Sequence, residues 1–124
     1  MYVTVSTGIG GGAIVDNHVI RGRKGMAAHV GHMSVVPHGA LCPCGNHGCF
    51  EAYGSGTAFT LRARDRAAQT PDSALAQMGA EIHSRDVFAA ARNGDALANT
   101  LIDEEAEILG RGFTSLIHIL ARIW

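Results

Sequence analysis

A chain of 124 residues forms one domain at most, able to bury roughly two-thirds of the surface its unfolded form exposes. Hydrophobic residues at 47% and charged residues at 17% exclude a disordered or low-complexity chain. The formal net charge of −1 lacks the basic footprint of a nucleic-acid binder, and no apolar run approaches the ~18 residues of a membrane span.

The composition changes near Ser55. Residues 1–54 carry glycine, valine and turn formers and predict strands, whereas residues 55–124 carry alanine, leucine and charge and predict helices. The alternation Tyr2–Ser6 predicts a first strand, Gly12–Asp16 a second, Asp16-Asn17 a turn and His18–Ile20 a short return. His32–Val36 predicts a further strand that ends at Pro37-His38-Gly39. Ser55 or Thr57 caps a helix through Leu61 to about Gln69, stopped by Thr70-Pro71, and a weak helical segment covers Ser73–Met78. Ser84 caps a helix over Arg85–Asn93, Asn93-Gly94 closes it, and Asp95 caps the last one.

That last helix is the most periodic segment. Ala98, Ile102, Ala106, Leu109, Phe113, Leu116 and Leu120 fall on one face, and Asp103, Glu107, Arg111 and Ser115 on the other. Glu107 and Arg111 are ordered for an i,i+4 attraction. Gly110 and Gly112 each cost about 1 kcal/mol relative to alanine inside a helix, which predicts close approach of another backbone. The chain opens on a strand with no earlier partner and closes on a helix with no strand after it, so truncation at both ends is expected.

Ser6-Thr7-Gly8-Ile9-Gly10-Gly11-Gly12-Ala13 is not a Walker loop, because no Gly-Lys-Ser/Thr follows. Gly8, Gly10 and Ala13 meet a loose dinucleotide spacing, yet the residues after them are strand-like where that fingerprint opens a helix. What remains is a strand–glycine turn–strand hairpin. Its tip amides and the Thr7 hydroxyl can grip phosphate oxygens, or it is a plain tight turn.

Cys42, Cys44 and Cys49 fall within eight positions, and an odd count so close together makes a poor disulfide framework. With no signal peptide at the start, the thiols predict a reducing, cytoplasmic compartment and a metal. A tetrahedral structural site needs a fourth ligand, for which His29, His32, His38 and His47 are candidates. Three buried, inert thiols are the alternative.

Together these pieces resemble the ROK family of bacterial sugar kinases and sugar-responsive repressors. The resemblance runs through Val5–Ala13, Gly22, Ala27, Gly31-His32, Cys42-Pro43-Cys44-Gly45-Asn46-His47-Gly48-Cys49-Phe50-Glu51 and Ser55-Gly56. It implies an α/β chain, part of the two-lobed, actin-like (ribonuclease H-like) hexokinase fold, with residues 1–124 forming a partial C-terminal lobe. It implies contacts from Thr7, Gly8 and Gly10 to the terminal phosphates of ATP with its Mg2+, and Zn2+ held structurally by His32, Cys42, Cys44 and Cys49. Glu51, His32 and the residue at position 29 would face a hexose-type sugar. The family writes Glu-x-Gly-His where this chain has His29-Val30-Gly31-His32, which predicts weakened or altered sugar recognition, since a neutral imidazole cannot chelate two hydroxyls. The family's Asp-x-Gly-x-Thr loop and the Asn-Asp pair that carries its general base are both missing from the sequence, so no catalytic residue is assigned.

The resemblance leaves three functions open: a glucokinase-like ATP-dependent sugar kinase, present as a fragment inactive alone; the sugar-sensing lobe of a repressor; or a non-catalytic zinc-binding remnant. Sugar and ATP are the implied partners of the complete protein, with no membrane, no nucleic acid bound by this segment, and a homodimer as a candidate assembly.

Overall fold

A computed structural model of the chain describes residues 1–120, and the side chains of residues 1–119. Strand β1 (Tyr2–Val5) pairs antiparallel with β2 (Ile9–Gly12), Tyr2 opposite Gly12 and Val5 opposite Ile9. A second hairpin joins β3 (Ile14–Val15) to β4 (His18–Val19). Its turn residues Asp16 and Asn17 sit at φ 48° and 62°, the left-handed pair that a tight hairpin requires and that these two residue types tolerate.

The expected strand over Gly12–Asp16 is therefore split, and the glycines lie in β2 instead of the turn. The reason is crowding, not left-handed backbone. A Cβ on Gly11 would stand 2.7 Å from the Tyr2 carbonyl oxygen and 3.2 Å from Val30 Cγ2. Nor does His32–Val36 form a strand. Val30–His32 is a 3-10 turn, Ser34 makes a lone bridge to Cys49, and the Val35 and Val36 amides both donate to the Gly48 carbonyl. One carbonyl serves two amides, so no ladder can propagate.

The helices follow the cysteines. A short α1 (Phe50–Gly54), unforeseen in the sequence, begins right after Cys49. Ser55, not Thr57, caps α2 (Gly56–Ala68), accepting the Ala58 amide at 3.1 Å. Ser73 caps a 3-10 segment over Ala74–Gln77. Helix α3 (Ser84–Arg92) starts one residue earlier than expected: His83 is the cap, in a box closed by Asp86, and Ser84 is already helical. Asp95 caps α4 (Ala96–Leu120), accepting the Ala98 amide at 2.9 Å. It also takes the Ser73 hydroxyl and the Ala74 amide, tying two helix starts together.

The larger core joins Phe59, Ala63, Leu75, Ile82, Val87 and Leu101 from α2, α3, α4 and the 3-10 segments. The smaller one joins Ile9, Val30, Phe50 and Leu116 under the hairpin. Each fully buried Phe or Leu contributes about 1.5–3 kcal/mol. Helix α4 buries Leu97, Ala98, Leu101, Gly112 and Leu116, while Ala106 is exposed and Phe113 is 36% exposed. The buried stripe is thus turned by about one residue from the expected face, because α1, α2 and α3 all pack against α4. The expected place of the Leu120 side chain lies outside the described residues. Asp103, Glu107, Arg111 and Ser115 face solvent as expected, with Arg111 paired to Glu107.

Candidate functional site

The cysteine loop folds on itself through glycines. Gly45 and Gly48 take φ 89° and 71°, the Cys42 amide donates to the Asn46 carbonyl at 2.8 Å, and Leu41 bridges His47. A side chain on Gly48 would overlap the Val36 carbonyl. This folding brings together ligand atoms of His32, Cys42, Cys44 and Cys49, all within 4.8 Å of one another. Cys44 Sγ stands 3.6 Å from Cys49 Sγ, and Cys42 Sγ 3.7 Å from His32 Nδ1. A tetrahedron with metal–sulfur bonds of ~2.3 Å has edges of about 3.8 Å, so these separations fit ligands around one ion. They do not fit a disulfide, which needs ~2.05 Å, and all three cysteines are free.

The donor chemistry agrees. Burial pushes the Cys49 thiol up to about 12, with Cys44 and Cys42 adding to the rise. The Asn46 amide holds the exposed Cys44 thiol below its ordinary value. Of the four histidines open to the role, the structure brings only His32 to the sulfurs. His47 Nδ1 instead contacts the Gly39 carbonyl at 3.0 Å, and the His29 ring centre is 6.3 Å from that of His32.

Two residues past Cys49, the Glu51 carboxylate reaches the first hairpin. Its Oε2 accepts the Ile9 amide at 2.7 Å, and the Gly56 amide at the start of α2 donates to the Ser6 carbonyl at 2.7 Å. Thr7 and Gly8 are therefore gripped from both sides, while their own amides donate to nothing among the described residues. A Cβ on Gly8 would press on Glu51 Oε2 at 2.6 Å.

Two cavities open along this hairpin. One, of about 660 Å³, is lined in part by Ser6, Thr7, Thr57, Phe59, Arg64 and Glu105. The other, of about 250 Å³, is lined by Ile9, Gly10, Gly11, Ala28, His29 and His32. Gly10 thus lies in β2 on the histidine-lined wall, apart from Thr7. Ala28, beside His29, is held at φ 62°, a left-handed conformation that costs an alanine about 1–2 kcal/mol. Gly31 lets the His32 turn lie directly on β2, since a Cβ there would overlap the Ile9 carbonyl.

Sequence reasoning missed the brace behind the metal loop. Tyr53 accepts the Ala40 amide at its hydroxyl (2.7 Å) and an Arg62 guanidinium N–H at its carbonyl (3.0 Å). Arg62 in turn pairs with Glu105 at 2.6 Å. Burial pushes the Glu105 carboxyl up, and Arg62 opposes that rise without cancelling it. In sequence its parts are only two arginines one turn apart on α2, Arg62 and Arg66, and the adjacent Glu104 and Glu105 on α4, with nothing local to pair them.

Comparison with known proteins gives a consistent picture. The sequence model of the ROK family matches residues 1–122. A glucokinase of Streptomyces coelicolor is 40% identical over 120 residues, covering 92% of this chain and 38% of that protein. An N-acetylmannosamine kinase of Yersinia pestis is 40% identical over 111 residues, covering 90% of this chain and 34% of that protein. The chain therefore spans little more than a third of the length of these relatives. The crystal structure of a ROK family glucokinase from Streptomyces griseus, in complex with glucose and AMPPNP, superposes with a TM-score of 0.81 at 40% identity, covering 95% of this chain and 40% of that one. A ROK family transcriptional regulator, a homolog of the E. coli MLC protein, superposes equally well (TM-score 0.81) at 33% identity, covering 96% of this chain and 30% of its own.

Proposed function

The chain belongs to the ROK family, and from that premise we propose that it forms the sugar- and phosphate-facing part of a ROK sugar kinase, which moves the terminal phosphoryl group of ATP to a hexose hydroxyl. One observation carries this reading: the Thr7-Gly8 turn, its amides uncommitted, tips a hairpin that lines a larger cleft through Val5–Thr7 and a smaller, histidine-lined one through Ile9–Gly11. Phosphoryl transfer rests on positioning and charge stabilisation more than on covalent help from the protein. A turn that offers free amides at the edge of a cleft is suited to hold a phosphate.

In this reading Thr7 and Gly8 receive the phosphates of Mg2+-ATP, while Gly10, expected to join them, lies in β2 on the wall of the sugar cleft. His29 and His32 line the sugar cleft. Glu51, one oxygen held by the Ile9 amide, offers the other to a sugar hydroxyl. His32, Cys42, Cys44 and Cys49 would hold Zn2+, whose four protein ligands leave it the role of ordering the loop. Residues 1–54 supply the phosphate turn and metal loop, and residues 55–124 the helical support. With no Asp-x-Gly-x-Thr loop and no Asn-Asp pair in the sequence, the base that deprotonates the sugar is not assigned to this chain. The glucose and AMPPNP bound by the Streptomyces griseus glucokinase support the choice of ligands.

A sugar sensor is the second reading, favoured by the likeness to the ROK transcriptional regulator and by His29 where the family has glutamate. Amide and imidazole NMR of the zinc-loaded chain, titrated with glucose, N-acetylmannosamine and AMPPNP, separates the two. The kinase reading expects sugar shifts at His29 and His32, and nucleotide shifts at Thr7 and Gly8. Sugar binding without any nucleotide response would favour the sensor, and silence toward both would refute the site.

A further inference from the structure

The four metal-binding side chains are not equally protected. Cys42 and Cys49 are buried, whereas Cys44 is exposed. An oxidant in solution therefore meets Cys44 first, and the sulfur next to Cys44 is that of Cys49, 3.6 Å away. We propose that Cys44 is a peroxide-modification site whose oxidation closes a Cys44–Cys49 disulfide and opens the metal loop. The inference rests on the reading of His32, Cys42, Cys44 and Cys49 as metal ligands.

The chemistry balances with hydrogen peroxide as the only added reagent. The Cys44 sulfur attacks one peroxide oxygen, the O–O bond breaks, and the departing oxygen leaves as water, giving a sulfenic acid at Cys44. The Cys49 sulfur then attacks the Cys44 sulfur. The S–O bond breaks and a second water leaves. Two thiolates, one peroxide and two protons from solvent become one disulfide and two waters, with two electrons passing from sulfur to oxygen. A zinc ion held there would keep its charge and be left with His32 and Cys42 as its protein ligands.

Geometry favours this pair. The sulfurs must approach by only ~1.5 Å to reach disulfide length. The segment between them carries Gly45, with open space around its Cα, and Gly48, both left-handed. A Cys42–Cys44 bridge would instead have to close across Pro43 alone, whose ring fixes its φ. Cys49 is also the residue from which α1 starts, adjoining Phe50 and two places from Glu51. Pulling its sulfur outward disturbs the Glu51 carboxylate that holds the Ile9 amide.

The test uses the whole chain, reduced and supplied with one equivalent of zinc. Elemental analysis comes first: absence of bound zinc would sink the metal reading itself, separately from the inference. On zinc-loaded protein, hydrogen peroxide is added with a chromogenic zinc chelator present, and the thiols are then mapped by alkylation and peptide mass spectrometry. The expected result is zinc release in step with a Cys44–Cys49 disulfide, reversed by dithiothreitol and fresh zinc. Cys44→Ser should slow peroxide-driven release roughly tenfold; should that variant fail to hold zinc, the peptide map of the unaltered chain decides alone. Zinc retained under large peroxide excess, release with Cys44 oxidised but unbridged, or a disulfide through Cys42 would each overturn the proposal.

Discussion

Gly110 and Gly112 stand two residues apart in α4, and alanine should act on stability in opposite directions at the two sites. Both substitutions gain about 1 kcal/mol of helix propensity. At Gly110 nothing lies within 4 Å of the new Cβ, so the gain stands alone. At Gly112 the Cβ would meet the Phe50 ring at 2.5 Å from Cε2 and 2.6 Å from Cε1, with Cζ nearer still. The ring would have to retreat by about 1 Å to reach ordinary contact. It has little room: Phe50 is fully buried and Phe113 abuts it edge-on at a centroid distance of 6.0 Å. Overpacking of this kind costs about 1–3 kcal/mol. Gly110→Ala should therefore stabilise by about 1 kcal/mol, and Gly112→Ala should fall about 1–3 kcal/mol below it. Because propensity cancels in the comparison, the difference isolates the clash. Urea denaturation of the zinc-loaded variants should separate the midpoints by roughly 0.3–3 M, given slopes of ~1–3 kcal/mol/M. Phe50 follows Cys49 directly, so Gly112→Ala should also surrender zinc to a chelator faster, while Gly110→Ala should not. Equal midpoints, or a more stable Gly112→Ala, would refute the packing argument.

Stripping the metal should lower stability by about 4 kcal/mol relative to zinc held at a thousand times its dissociation constant, and should speed exchange of the Ile9 amide held by Glu51. Unchanged denaturation in a strong chelator would count against a structural ion. Asp95 gives a pH signature. Burial acts to raise its carboxyl, but the Ala98 and Ala74 amides and the Ser73 hydroxyl outweigh burial and hold it below the usual range. A folded value below the unfolded one means that this contribution is complete above ~3.9 and disappears as the pH falls through the folded value. Asp95→Ala should cost about 1–2 kcal/mol at neutral pH and flatten part of the acid limb; parallel curves for variant and parent would dismiss the assignment. His29→Glu should tighten hexose binding roughly tenfold by supplying a charged acceptor, as read by calorimetry. No gain would show that position 29 does not touch the sugar.

What the sequence disclosed and what it hid divide along physical lines. Local signals survived: the Asp16-Asn17 turn, the Ser55 and Asp95 caps and the exposed stripe of α4 each depend on a few neighbouring residues. Three cysteines in eight positions foretold a cluster, and spacing alone left four histidines to complete it. Only the family resemblance singled out His32 in sequence; the 3-10 turn that sets it beside the sulfurs, closed by the His32 amide to His29 and the Met33 amide to Val30, carries no periodic signal. The glycines of β2 misled because glycine signals either left-handed backbone or close approach, and the sequence does not say which. The buried face of α4 misled for a related reason: with α1, α2 and α3 all packed on it, the stripe follows neighbours the helix pattern does not contain. The Tyr53–Arg62–Glu105 brace was illegible, since it joins segments up to 43 residues apart.

The order of the site comes down to one comparison of magnitudes. Residues 38–49 bury only Cys42, Gly48 and Cys49, so the loop has no apolar core of its own. Fixing those backbones costs at least about 1 kcal/mol each, or ~12 kcal/mol for the segment. Its hydrogen bonds, such as Gly48 N–H to the Ala40 carbonyl and Ala40 N–H to Tyr53, return about 1 kcal/mol apiece. The bonds made in and around the segment, including those from Val35 and Val36 to Gly48 and from Asn46 to His32 and Ser34, roughly offset that cost and leave little net stability. Zinc held at a thousand times its dissociation constant would add about 4 kcal/mol to so small a balance. On the proposed metal reading the ion would decide how firmly the loop is ordered, reaching His32 directly and Glu51 through Cys49 and Phe50. Sugar affinity should therefore rise and fall with zinc occupancy even though no sugar oxygen need touch the metal, and retained affinity in the zinc-free chain would break that link.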